Sequence, residues 1–308
     1  MKIVVTGANG FVGNNLSNYL TQKGIQISRV QRKKRLNTIF IPNCNRATDW
    51  SEALTDVETV IHCASIVHNK RVDNFESFYK VNVQGTESLV SQAAKAGVKN
   101  IIFISTIKVN GENSSLLNPF GDNSEVNPHD YYSISKLFAE NSIKFISKIE
   151  GINYVIIRPG LIYGPGVRAN FYNLIKLVDS GLPLPFKGVK NMRSLLFIDN
   201  LGEFIYQLIK KSYFKNQIFV LSDSTPLSLS ELINLIYLQL DKKSRNFYFP
   251  LKILKFILNI SGKKDLSSRL LGSLVIDSSS AREDLCFETP FSTDYGVKKT
   301  VQWYLKHK

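Results

Sequence analysis

Short strand-like runs rich in valine and isoleucine recur at residues 3–5, 25–30, 60–62, 101–105 and 154–157. Between them, apolar positions fall at helical spacing over residues 15–22, 75–96 and 132–149. A continuous apolar run bounded by turn residues reads as a strand buried on both faces, and the amphipathic stretches read as crossovers. The alternation predicts an α/β chain built on a doubly wound parallel sheet over residues 1–165. It fades past residue 166, so 166–308 reads as a smaller α/β substrate-binding region, with a segment near 194–222 returning to the main unit. Ligands of such sheets bind beyond the carboxyl ends of the strands, so the chemistry is sought in the residues just after each run.

The first such place is Thr6-Gly7-Ala8-Asn9-Gly10-Phe11-Val12-Gly13, between a strand-like run and a helix-like one. Gly7, Gly10 and Gly13 stand where a strand turns sharply, where backbone approaches a pyrophosphate, and where the new helix packs on its sheet. The N–H groups of the helix's first turn have no intrahelical partners and add partial positive charge. The stretch predicts a dinucleotide cradle made by Gly7, Asn9, Gly10, Phe11, Val12 and Gly13.

After the second run an NAD-preferring site places an acidic residue on the adenosine ribose. Here the chain reads Gln31-Arg32-Lys33-Lys34-Arg35, without a carboxylate. A cation about 4 Å from a phosphate is attracted by ~4 kcal/mol at an effective dielectric near 20, before desolvation. Arg32 and Lys33 therefore favour NADP(H), with NAD(H) as the alternative. A solvated basic loop is the bland reading of the same residues.

The run ending at His62 continues into Cys63-Ala64-Ser65, where small residues such as Ala64 let backbone approach a cofactor. His62 reads as a structural hydrogen-bonding residue. Asn82, on the next helix, is either a buried polar group or a positioning residue on the cofactor side. Further on, Ser105 and Thr106 put hydroxyls at a strand end, and Tyr132 and Lys136 are one helical turn apart on one face. A nearby ammonium favours an ionised phenol, so the spacing predicts a tyrosine lowered from about 10.

Composition narrows the classes. The chain of 308 residues is 44% hydrophobic, enough for one large domain and a smaller one. No apolar run reaches the roughly 18–20 residues of a membrane span, and the chain opens on a core strand without room for a signal peptide, so a cytoplasmic protein is expected. Its apolar stretch 247–260, with Lys252 and Lys255 interspersed, is too short to span and is expected to pack in the core or a lid, with an interfacial anchor as the alternative. Cys44, Cys63 and Cys286 have no paired or metal-ligand spacing, so no metal is expected. Most of the net charge of +14 is scattered along amphipathic segments, without zinc-finger or RNA-binding motifs, which argues against nucleic acid.

Taken together, residues 6–13, 82–86, 105–111, Tyr132 with Lys136, 158–166 and 193–199 resemble the extended short-chain dehydrogenase/reductases, the family of nucleotide-sugar epimerases, dehydratases and reductases. The resemblance runs nearly end to end. It implies a Rossmann-type fold, Tyr132 as acid/base, Lys136 tuning it and gripping the nicotinamide ribose, and Thr106 bonding the reacting sugar oxygen. It also implies a UDP-sugar substrate held by Lys108, Asn170, Arg193 and Arg269, and a homodimer through the Tyr132 helix and the preceding one. Dehydratases of the family follow the threonine with Asp-Glu. Ile107 and Lys108 stand there instead, which argues against dehydration.

Within the family, Thr106-Ile107-Lys108-Val109-Asn110-Gly111, Leu182-Pro183-Leu184-Pro185 and residues 269–273 are similar to a UDP-glucose 4-epimerase-like bacterial branch. That branch includes reductases of UDP-4-keto-6-deoxy-N-acetylhexosamines for surface polysaccharide. The leading expectation is NADPH-dependent reduction at C4, yielding a sugar of the UDP-N-acetylquinovosamine or UDP-N-acetylfucosamine type. A UDP-glucose or UDP-N-acetylglucosamine 4-epimerase with tightly held NAD is the alternative, and a non-catalytic dinucleotide sensor a minor one.

Overall fold

In the computed structural model, which describes residues 2–67, 74–260, 267 and 270–308, the apolar runs pair in parallel. The strands are β1 (Lys2–Thr6), β2 (Gln26–Gln31), β3 (Ile39–Phe40), β4 (Thr59–His62), β5 (Asn100–Ile104), β6 (Asn153–Pro159), β7 (Leu161–Tyr163), β8 (Leu195–Phe197) and β9 (Gln217–Leu221). Among the described residues, seven of them form one sheet in the order β3-β2-β1-β4-β5-β6-β9, while β7 and β8 form a separate parallel pair. The chain leaves β1 in one direction and resumes at β4 on its other side, so a crevice opens beyond the carboxyl ends of these two strands.

Alternate residues of the strands feed two cores. Ile3, Val5, Ile61, Ile102 and Ile157 pack with helices α1 (Phe11–Gln22) and α7 (Ile198–Lys210) and with much of the second half. Val4, Val60, Ile101, Phe103 and Ile156 pack on the other face under α4 (Gly85–Lys95) and α5 (Tyr131–Glu150). Full burial of each such side chain contributes about 1.5–3 kcal/mol. The short helices α2 (Ser51–Leu54) and α3 (Phe75–Phe78) line the second face's approach. The second half adds α6 (Ala169–Asp179), α8 (Leu229–Gln239), α9 (Leu251–Ile260) and helices at Ser279–Leu285 and Thr293–His307.

The long amphipathic stretch 75–96 is not one helix. Residues Tyr79–Gln84 form a π turn between α3 and α4. Such a widened turn rotates the side chains after it, and here it brings Asn82 inward to 1% exposure. Gly85 begins α4 where a Cβ would lie 2.5 Å from Cys44 Sγ, so the helix start is pressed against the loop after β3.

α5 begins on Asp130, whose carboxylate accepts from Ser133 N at 2.7 Å in a reciprocal cap, and it ends on Gly151 at φ +72. Its middle is fixed by a buried ion pair. Glu140 accepts from Arg158 Nε (3.0 Å), Arg158 Nη2 (2.6 Å) and Ser105 Oγ (2.5 Å), and Arg158 Nη1 donates to Asn110 Oδ1 (3.1 Å). Glu140 and Arg158 are 0% and 2% exposed. The network therefore joins α5 to the carboxyl ends of β5 and β6.

His62 is likewise structural. Its ring lies between Thr6 Oγ1 (2.6 Å) and Thr86 Oγ1 (3.0 Å), joining β1 and β4 to α4, and Thr86 donates on to Asn82 O at 2.7 Å. Burial, with the Lys136 charge adding, lowers its pKa from 6.5 to about 3.

Two outcomes are expected. Glu140→Gln leaves Arg158 buried without its counter-charge and should cost about 3–5 kcal/mol of unfolding free energy. An unchanged urea midpoint would show that the pair carries no such load. For His62, the unfolded chain binds a proton below about 6.5 that the folded chain refuses until about 3, so its contribution is intact above 6.5 and is lost as pH falls between these values. Urea midpoints across roughly pH 7.5 to 5 should fall less steeply for His62→Gln than for the wild type.

Candidate active site

The opening turn is shaped for close approach. Gly7 has φ +67, and a Cβ there would lie 2.8 Å from Ala64 N; at Gly13 it would lie 2.5 Å from Gly7 O. Gly10 caps α1 without a side-chain hydrogen bond, so the first-turn N–H groups face the crevice unshielded by a cap. A cavity of about 360 Å³ runs from Thr6, Gly7, Asn9 and Gly10 past Arg32 to Ala64 and Ser65. A neighbouring one of about 590 Å³ reaches Phe11, Arg29 and Arg35. These features fit a dinucleotide lying across β1 and β4, with its diphosphate on the α1 N-terminus.

The expected cofactor residues do not all reach that crevice. Gly7, Asn9, Gly10, Phe11, Arg32 and Ala64 line it, whereas Lys33 is exposed and is not among the lining residues. Gly13 and Val12 act behind it, Gly13 at the crossing with Gly7 and Val12 packed against the core. Asn82 is a positioning residue rather than a direct cofactor ligand. Its Oδ1 accepts from Ile66 N (2.8 Å), and its Nδ2 donates to Ile66 O (3.0 Å) and Ser135 Oγ (2.9 Å). Both amide hydrogens are thus used in fixing the loop after β4 to α5.

Thr106 and Tyr132 open into a third cavity, of about 500 Å³, together with Lys108, Asn170 and Arg193. Its remaining wall is largely aliphatic and aromatic, including Leu161, Phe171, Leu174, Leu229 and Leu274. Thr106 caps the short turn Ile107–Val109 and accepts weakly from Lys108 N (3.3 Å). Its hydroxyl hydrogen has no acceptor among the described residues.

Tyr132, half-buried in the first turn of α5, has its phenol hydrogen-bonded with Ser65. Burial chiefly, then the Asp130 charge, pushes its pKa up to about 12, while the Ser65 bond opposes. The net shift is opposite to the depression that the Tyr132/Lys136 spacing predicts, because removing a phenolate from water outweighs the Ser65 hydrogen bond. At neutral pH this phenol is protonated.

Lys136 is 2% exposed, with Nζ 3.9 Å from the centre of the Phe103 ring. Burial lowers it to about 7, with Glu140 the main influence in the other direction. Among the described residues its ammonium meets a ring face but no hydrogen-bonding oxygen, which suits a ribose hydroxyl of the incoming cofactor.

The expected substrate contacts also divide. Lys108 is committed to Asp130 (2.7 Å) and Glu112 (3.0 Å), so its charge supports the α5 cap beside the cavity instead of standing free for a diphosphate. Arg193 is held by backbone pairing with Leu227 and Leu274, and its Nη1 donates to Gly272 O at 3.1 Å. Asn170 lies exposed in the first turn of α6. Arg269 lies outside the described residues.

Sequence reasoning missed Ser65, Asp130, Asn110 and Glu140. Only Asp130 carried a local signal, an N-cap residue three before Ser133 at the start of an amphipathic helix.

Residues 3–222 match the NAD dependent epimerase/dehydratase family. A UDP-glucose 4-epimerase of Vibrio cholerae is 36% identical over 99% of this chain and 95% of its own length. An N-acetyl-alpha-D-glucosaminyl-diphospho-ditrans,octacis-undecaprenol 4-epimerase of Escherichia coli O157:H7 is 27% identical over 99% of this chain and 96% of its own. The fold is shared with a UDP-N-acetylglucosamine 4-epimerase from Bacillus cereus, with TM-score 0.80 and 20% identity over 100% of this chain and 99% of that one. With a matching sequence and a crevice shaped for a dinucleotide, the chain belongs to the NAD-dependent epimerase/dehydratase family, within the extended short-chain dehydrogenase/reductases, and is an NAD(P)-dependent enzyme of that family.

Proposed function

We propose that the protein reduces C4 of a UDP-4-keto-6-deoxy-N-acetylhexosamine at the expense of NADPH. The observation that carries this reading is the end of β2: Gln31 is followed by Arg32 lining the crevice, and no carboxylate stands there to select an unphosphorylated ribose. The bound cofactor would supply the hydride to C4. Tyr132, held protonated by burial, gives its proton to O4, and Thr106 donates its hydroxyl hydrogen to the same oxygen. Lys136 fixes the nicotinamide ribose, Arg193 and Asn170 grip the diphosphate end, and the aliphatic wall favours a 6-deoxy sugar over a hydroxymethyl one. Ile107 and Lys108 supply no acid/base pair for elimination of water, which supports reduction without dehydration.

A second reading, 4-epimerisation with retained NAD, is favoured by the Vibrio cholerae relative. It asks Tyr132 to take the O4 proton first and so needs the phenol lowered from about 12. The two differ in cofactor turnover. With a UDP-4-keto-6-deoxy sugar, absorbance should report steady NADPH consumption, and Arg32→Glu should raise the KM for NADPH about tenfold or more while sparing NADH. UDP-sugar interconversion without net cofactor change would establish the epimerase instead.

The same reading includes a homodimer. α5 leaves Tyr131, Phe138 and Phe145 exposed at seven-residue intervals, and Phe75, Tyr79, Tyr131 and Phe138 form one aromatic patch. A second α5 laid against this face would cover it. Sedimentation should show a dimer that Phe138→Glu with Phe145→Glu dissociates; a wild-type monomer would rule this out.

A further inference from the structure

The apolar stretch 247–260 does not pack as a core element on both sides. In α9, Leu254 faces inward at 7% exposure, while Ile253, Phe256 and Ile260 are 49%, 64% and 70% exposed. Phe247 and Tyr248, just before the helix, are 43% and 70% exposed. Ile253, Phe256 and Ile260 recur at spacings of three and four, so they form one outward stripe. Lys252 and Lys255 flank it, both exposed.

The adjoining segments are predominantly basic. The strand-like segment around Phe247 is hydrogen-bonded to the loop at residues 182–190 through Phe247 N to Leu184 O (2.8 Å) and Lys187 N to Phe247 O (3.1 Å). Neither 180–198 nor 242–260 contains an aspartate or glutamate. Lys187, Lys190, Lys243 and Arg245 are exposed here along with the two helix lysines. Lys242 pairs with Asp179, but these six cations have no carboxylate partner among the described residues.

We propose that α9 and the adjoining basic loop dock the protein on an anionic lipid surface. The apolar stripe enters the headgroup boundary, while the lysine stems snorkel and their ammonium groups meet lipid phosphates. Aliphatic and phenyl groups on the outward face have no counterpart on a nucleic acid, and an acidic protein alone would not need them. The helix has 10 residues, too short to cross the bilayer, so it lies along the surface. This surface is separate from Thr106 and Tyr132, and the docking does not depend on which sugar is reduced or epimerised.

The test is flotation of the full chain with phosphatidylcholine vesicles, with and without about one third phosphatidylglycerol. Binding is expected only with the anionic lipid and should weaken in salt. Phe256→Ser with Ile260→Ser should reduce partitioning about tenfold or more, and each of Lys252→Gln and Lys255→Gln by roughly fivefold. The exposed positions should leave the melting temperature and turnover of free substrate unchanged, which separates lost docking from lost folding. The proposal is overturned if the wild type ignores anionic vesicles, if the paired serine variant binds as well as wild type, or if the chain instead binds an acidic polypeptide while ignoring lipid.

Discussion

The geometry of the candidate site depends on one buried charge pair. Thr106 sits at the end of β5 and Tyr132 in the first turn of α5, and nothing in the covalent chain makes those two ends meet. Glu140 ties them by receiving Arg158 from β6 and Ser105 from the residue before Thr106, while Arg158 also holds Asn110 beyond the Thr106 turn. Isolated, either charge would be expelled from the interior; paired and hydrogen-bonded, they fix α5 against the ends of β5 and β6. The price is stability that a well-packed apolar pair would supply at least as well, so the gain is in positioning.

A second network governs the opposite side of the crevice. His62 joins the carboxyl ends of β1 and β4 to Thr86, Thr86 bonds to Asn82, and Asn82 bonds to both Ile66 and Ser135 on α5. The glycine cradle, the small-residue loop that faces it and the helix bearing Tyr132 are thus parts of one polar frame. Lys108 adds to that frame by neutralising the Asp130 cap at the first turn of α5.

The sheet was legible because its central strands are rich in valine and isoleucine, and the glycine cradle because backbone crowding leaves only glycine there. Tyr132, Lys136 and Thr106 were legible through local spacing and strand-end position. The π turn at Tyr79–Gln84 was not, since a widened turn leaves the apolar periodicity of 75–96 nearly unaltered. Short β3, β7 and β8 carry too few residues for a period to register. Ser65, Asn110 and Glu140 were hidden for a different reason: each is an ordinary polar residue whose partner comes from a distant element. The protein partners of Lys108 and Asn82 were hidden in the same way, because Asp130, Ile66 and Ser135 lie far from them in the sequence.

The direction of the Tyr132 shift bears on how the proposed chemistry would begin. A buried phenol raised to about 12 is an acid in waiting, ready to give a proton to an oxygen that gains negative charge. Reduction of a ketone creates that charge in the transition state, so the resting protonation state is the reactive one. Epimerisation begins by removing a proton, and the resting state must first be changed. Lys136 is the group placed to make that change, yet burial has already lowered it to about 7, which limits the positive charge it can lend above neutral pH. A protonated phenol thus suits the proposed reduction directly, whereas the epimerase reading requires the bound cofactor and Lys136 to lower it first.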